Sequence, residues 1–145
     1  MVHWIFATDG TAVPLILRLT LAVVMFPHGA QKVLGWFGGY GLKGTLGFFK
    51  SQGIPVPLAL LALAAEFLGP LGLVLGLLTR VAAFGIACVM LVAIVSVHQQ
   101  HGFFMNWFGS QKGEGFEYHL LALGIAIALL VGGAGLWSID ARLMR

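Results

Sequence analysis

From Val13 to Leu34 the chain is apolar over a length that crosses the ~30 Å hydrocarbon core of a bilayer as one helix, yet Arg18, His28 and Lys32 lie inside it. Ionisable groups at membrane depth cost at least roughly 2.5 kcal/mol each on insertion scales, so they persist where groups within the protein compensate them. The remaining spans are therefore expected to supply partners. Composition points the same way: 59% of the 145 residues are hydrophobic and 9% charged, and the mean hydropathy is +0.98. That leaves too little polar surface to cover a water-soluble globule, and the class implied is an integral membrane protein.

The apolar stretch from Val56 to Val97 is twice too long for one crossing and must turn, and Gly76-Leu-Leu-Thr-Arg80 is its polar break. A last apolar run follows Glu117-Tyr118-His119. The expected fold is all-α: one membrane-embedded four-helix bundle over residues 1–145, with spans at about 13–34, 56–78, 81–97 and 118–136. Two interfacial loops, 35–54 and 98–117, share one side. Both carry aromatic residues suited to headgroup depth (Trp36, Phe37 and Tyr40, then Phe103 to Phe108), and Leu42, Leu46 and Phe49 recur at the spacing of a short interfacial helix. Residues 1–12, the turn at 78–80 and the C-terminus fall on the opposite side. No basic region precedes the first span and no small-residue cleavage site follows it, so that span is expected to be retained.

Several function classes drop out. The net charge of +3 comes from scattered Lys and Arg with no basic run, which excludes nucleic acid as a partner. The single cysteine, Cys88, lies in an apolar run and reads as packing; alone it forms no intramolecular disulfide and no Cys-x-x-Cys pair. Four helices enclose too little lumen for a pore, and no Ser or Cys nucleophile has a base at reading distance.

What remains is a site between helices. Glu66 is the one charged residue of the second span and lies near its midpoint, beside a stripe of small residues at Ala62, Ala65, Gly69, Gly72 and Gly76. Packing of the first two spans through that stripe is expected to pair Glu66 with Arg18. The same carboxylate also suits a ligand site or proton handling. Pro27, by removing a backbone hydrogen bond ahead of His28-Gly29, either loosens the helix and widens a cavity there or joins Gly29 in allowing close packing.

His28, Lys32, His98, His101, Glu117 and His119 all fall toward the face that bears the two loops. The residues expected to bind a ligand are Arg18, His28, Lys32, Glu66, Glu117 and His119. Imidazoles beside a carboxylate hydrogen-bond the carbonyls of a quinone and move its protons, or hold zinc, copper, iron or haem, with His98 and His101 as the metal pair. No His-Glu-x-x-His spacing strengthens the metal reading. Arg80 and Asp140 are expected in a structural charge network.

The order Arg18-Leu, His28-Gly-x-x-Lys32, Glu66-x-x-Gly69, Gly76-x-x-Thr-Arg80, Glu117 and Gly133-x-Gly135-x-x-Ser138-x-Asp140 resembles the DoxX family from about residue 15 to 141. The resemblance implies a four-helix bundle in the plasma membrane of a bacterium or archaeon. It also implies a place beside quinone-linked oxidoreductases, as a membrane subunit of a redox system that binds a quinone or lipid-like molecule, with a redox protein or a second copy as partner. A non-enzymatic anchor or assembly partner is the rival class. Loop charge is balanced, with Arg18, Arg80, Arg142 and Arg145 toward one face and Lys32, Lys43, Lys50 and Lys112 toward the other, so the expectation that both termini are cytoplasmic rests on the resemblance.

Overall fold

The computed structural model describes residues 2–144, all-helical apart from turns and loops; Arg145, counted in the loop-charge balance, lies outside them. Seven α-helices follow one another among these residues: α1 (Val2–Phe6), α2 (Val13–Leu34), α3 (Gly41–Ser51), α4 (Val56–Leu75), α5 (Thr79–Ala93), α6 (Glu117–Gly132) and α7 (Ile139–Leu143). Helix α5 runs on through a π-turn at Ile94–His98 and a 3-10 turn at Gln99–His101. Three stretches are long and apolar enough to cross a membrane, Val13–Leu34, Val56–Leu75 and Thr79–His101, whereas Glu117–Gly132 is apolar but shorter.

Helix α2 packs on α4, α4 on α5, α5 on α6, and α6 back on α2. The core between them is apolar, built from Leu21, Met25, Leu73, Ile86, Ala126 and Leu129. Their outward faces expose Val23, Leu61, Phe84, Val92 and Val131, the inversion expected of helices solvated by lipid.

Glycines set the helix ends, and they move two expected boundaries inward. α4 stops at Leu75 because Gly76 turns left-handed (φ 62°), and the amides of Leu77 and Gly76 bond back to the carbonyls of Gly72 and Leu73 in a Schellman arrangement. α6 stops at Gly132 because Gly133 and Gly135 both take φ 74°. A Cβ at either would run into backbone oxygens of the segment before α2.

The expected role of the small-residue stripe needs correcting. Ala65, Gly69 and Gly72 face α5, where Gly85, Ile86 and Ala82 approach them. The tight meeting of α2 and α4 is made instead by Gly29, whose missing Cβ would collide with the backbone of Glu66 and Phe67. Gly29 thus serves close packing, and α2 stays helical through Pro27.

The end of the molecule holding the α4–α5 turn is tied by charged side chains to backbone. Arg18, with no exposed surface, donates from Nε to the carbonyl of Ala134 (2.8 Å), from one terminal nitrogen to Leu73 (2.7 Å) and Val74, and from the other to Trp137. Arg80 reaches the last carbonyls of α6, at Leu130 and Val131, and that of Ala7, with its guanidinium over the Trp4 ring. Asp140 accepts from the amides of Leu78 (2.8 Å) and Thr79 (2.9 Å) at the start of α5, which holds Leu78 at φ 50°. Cations meet helix C-termini and an anion meets an N-terminus, as the helix dipole favours.

Candidate functional site

At the opposite end, a partly open cavity of about 280 Å³ lies between α2, α4, α5 and α6, beneath the loop from Gly102 to Phe116. One wall carries His28, Lys32 and Glu66. The other carries Met90, His98 and His119, with Met105 and Glu114 contributed by the loop and Met25 and Tyr118 between the two walls.

Glu66 is only 5% exposed, and its partner is Lys32. The Lys32 ammonium donates to Oε1 at 2.6 Å and also engages Oε2. Register explains the pair. Gly29 brings α2 onto the Glu66 backbone, and Lys32, one turn on along the same face, then reaches the carboxylate. The Thr45 hydroxyl of α3 donates to the Lys32 carbonyl at 3.0 Å, fixing the end of α2 that presents the ammonium. The Lys32 side chain remains 36% exposed, so one face of the pair is open.

His119 is 7% exposed, and its Nδ1 is a buried atom with no hydrogen-bond partner among the described residues. The His98 ring lies on it, centroids 4.0 Å apart. His98 Nδ1 stands 2.9 Å from the carbonyl oxygen of Glu114. A carbonyl can only accept, so Nδ1 carries the hydrogen and the ring's lone pair falls on Nε2. The Tyr118 hydroxyl donates to the Met25 sulfur at 3.4 Å, and the His28 ring lies 6.1 Å from that of Tyr118.

Of the residues named from sequence, the structure gathers His28, Lys32, Glu66, His98 and His119 around one cavity. Arg18 is not among them. The expected Arg18–Glu66 pair does not form, because Arg18 sits toward the other end of α2 and every one of its side-chain nitrogens is already bonded to a carbonyl. Glu117 also stays outside. Its Oε1 accepts from the Met105 amide (2.9 Å) and the Trp107 ring nitrogen (3.2 Å), tying the loop to the first turn of α6.

His98 and His101 part company because the winding changes from π to 3-10 between them. His98 turns to the cavity, and His101 packs against Gly113. Among the described residues no three His, Cys, Asp or Glu side chains come together to hold a metal. Tyr118, Glu114 and the three methionines line the cavity without having been singled out. Tyr118 stood between two residues that were, whereas an isolated Met in an apolar run carries no signal at all.

The DoxX family model matches residues 13–99, which hold α2 to α5 and eight of the twelve residues around the cavity, His28, Lys32, Glu66 and His98 among them. The chain belongs to the DoxX family. A DoxX protein with these apolar helices is an integral membrane protein. The chain is also similar to a protein of Bacillus subtilis (strain 168) named "Putative oxidoreductase CatD", at 31% identity over 115 residues, which is 79% of this chain and 76% of that protein. No solved structure matches it.

Proposed function

We propose that this DoxX protein binds a quinone or a similarly small lipid-like molecule in the cavity between its helices and serves as a membrane subunit of a redox system. The observation that carries the reading is the meeting of an ion pair, a phenol and imidazoles inside a cavity whose remaining lining, apart from Glu114 of the loop, is apolar. Apolar walls with a few convergent polar groups are the usual make-up of a small-molecule site. A volume of about 280 Å³ suits one ring with its substituents, and the open side leaves room for a tail. The Lys32 ammonium and the Tyr118 hydroxyl can donate to ligand carbonyls, while Glu66 and a neutral imidazole can accept the hydroxyl protons of the reduced form. The name of the Bacillus subtilis relative agrees with redox chemistry.

In this reading the chain lies in the plasma membrane of a bacterium or archaeon. It crosses four times, through α2, α4, α5 with its extension, and α6, and keeps both termini in the cytoplasm. The two loops then cover the cavity from the other face, where a redox protein or a second copy would dock.

The test is titration of detergent-purified protein with a short-tailed benzoquinone, followed by quenching of intrinsic fluorescence. Saturable binding is expected, weakened about tenfold or more by Glu66→Gln or His119→Ala, each change equivalent to about 1.4 kcal/mol or more. His101→Ala should leave it unchanged. Absence of saturable binding overturns the reading and favours an assembly partner without a ligand.

A further inference from the structure

We propose that the α5–α6 wall of the cavity is a copper(I) site, with the rings of His98 and His119 and the thioethers of Met90 and Met105 as its donors. Three of the five methionines and three of the five histidines of the chain line this one cavity. Among the described residues no cysteine joins them, and no third His, Cys, Asp or Glu completes a metal cluster with the two tilted rings. Thioether with imidazole, lacking thiolate or clustered carboxylate, is a soft donor set that selects Cu(I) over Zn(II) or Fe(II). A monovalent ion also suits a site at the margin of a low-dielectric region, where the desolvation penalty rises steeply with charge.

The histidines are arranged as ligands are. His98 gives its Nδ1 hydrogen to the Glu114 carbonyl at 2.9 Å, which fixes the tautomer and frees the Nε2 lone pair. Metal-bound imidazoles are oriented by this kind of second bond. His119 offers a buried Nδ1 with no hydrogen-bond partner among the described residues, a polar atom whose burial is costly while it stays unpaired, and in the tautomer with hydrogen on Nε2 it has a lone pair to give. The ring centroids lie 4.0 Å apart with the planes at 39°, so the two imidazoles stand in contact on this wall. Met25 is a weaker candidate, because its sulfur already accepts from Tyr118. His101 is none, since it packs on Gly113 away from the cavity.

The copper site shares the cavity and His119 with the quinone reading but does not depend on it, and it is tested without any quinone. Protein in mild detergent is mixed with Cu(I), kept reduced by ascorbate, in competition with a chromogenic Cu(I) chelator. About one equivalent per chain should be retained, and X-ray absorption should show mixed nitrogen and sulfur neighbours. The double substitution Met90→Leu with Met105→Leu, close in volume and so compatible with folding, should raise the dissociation constant at least tenfold, as should His119→Gln. His101→Gln and Met144→Leu should have no effect. Retention of Cu(I) that is indifferent to the Met90 and Met105 changes, binding of Zn(II) in preference to Cu(I), or no retention at all would overturn the proposal and leave the methionines as core filling. Protein that holds Cu(I) but no quinone fails the earlier reading alone, and the converse result fails this one alone.

Discussion

A guanidinium with no exposed surface survives at Arg18 because each of its nitrogens finds a backbone carbonyl at the end of a helix or in the glycine-rich turn after α6. Removing it strands those carbonyls. Arg18→Met is expected to lower stability in detergent by roughly 3–5 kcal/mol, read from thermal or denaturant unfolding. Arg18→Lys should recover only part of that loss, since an ammonium cannot reproduce the planar fork that reaches Ala134, Leu73 and Trp137 together. Double-mutant cycles separate the two charged systems. Arg18→Met and Glu66→Gln should be additive. Lys32→Met and Glu66→Gln should couple by about 1 kcal/mol, a modest value because the Lys32 side chain is 36% exposed. Coupling between Arg18 and Glu66 would contradict the arrangement. That all three residues needed inward partners follows from their places in apolar runs. Which partner each takes does not, because depth along one helix leaves the rotation of its neighbour free.

Among the helices, the same residue type has opposite consequences depending on what faces it. Gly29 lies against the backbone of Glu66 and Phe67, while Gly124 on α6 has open space around its missing Cβ. Gly29→Ala is therefore expected to push α2 off α4, at a cost of about 1–3 kcal/mol, and to disturb the Lys32–Glu66 pair with it. Gly124→Ala should be neutral or gain up to about 1 kcal/mol from helix propensity. Unfolding midpoints of the two variants, measured side by side, decide this, and equal effects would show that the α2–α4 contact is looser than described. Small-residue spacing did indicate that close packing occurs, and Ala65, Gly69 and Gly72 are used that way, though against α5. It could not say which neighbour. The π-turn at Ile94–His98 likewise had no signal at the end of a largely apolar run, yet it separates His98 from His101.

In the whole molecule the two ends of the helical assembly do different work. Arg18, Arg80 and Asp140 lock one end to backbone, and the cavity opens at the other under the aromatic loop. Four crossings would return the C-terminus to the face of the N-terminus. Reporter fusions at the C-terminus and within residues 38–48 should then give opposite signals, and equal signals would refute four crossings; the weak member is α6, whose 16 residues span about 24 Å at 1.5 Å each. From the sequence came the all-helical class, the extent of α2, the inward-facing charges and the histidine-rich end, because apolar run length and the cost of charge in lipid act locally along a chain. The tertiary structure alone decided that Lys32 and not Arg18 meets Glu66, that His119 is joined by His98 and by methionines, and that Glu117 ties a loop. Those outcomes depend on helix rotation, on helix ends set by left-handed glycines, and on which side chains share a wall, all of which are fixed only when the helices pack.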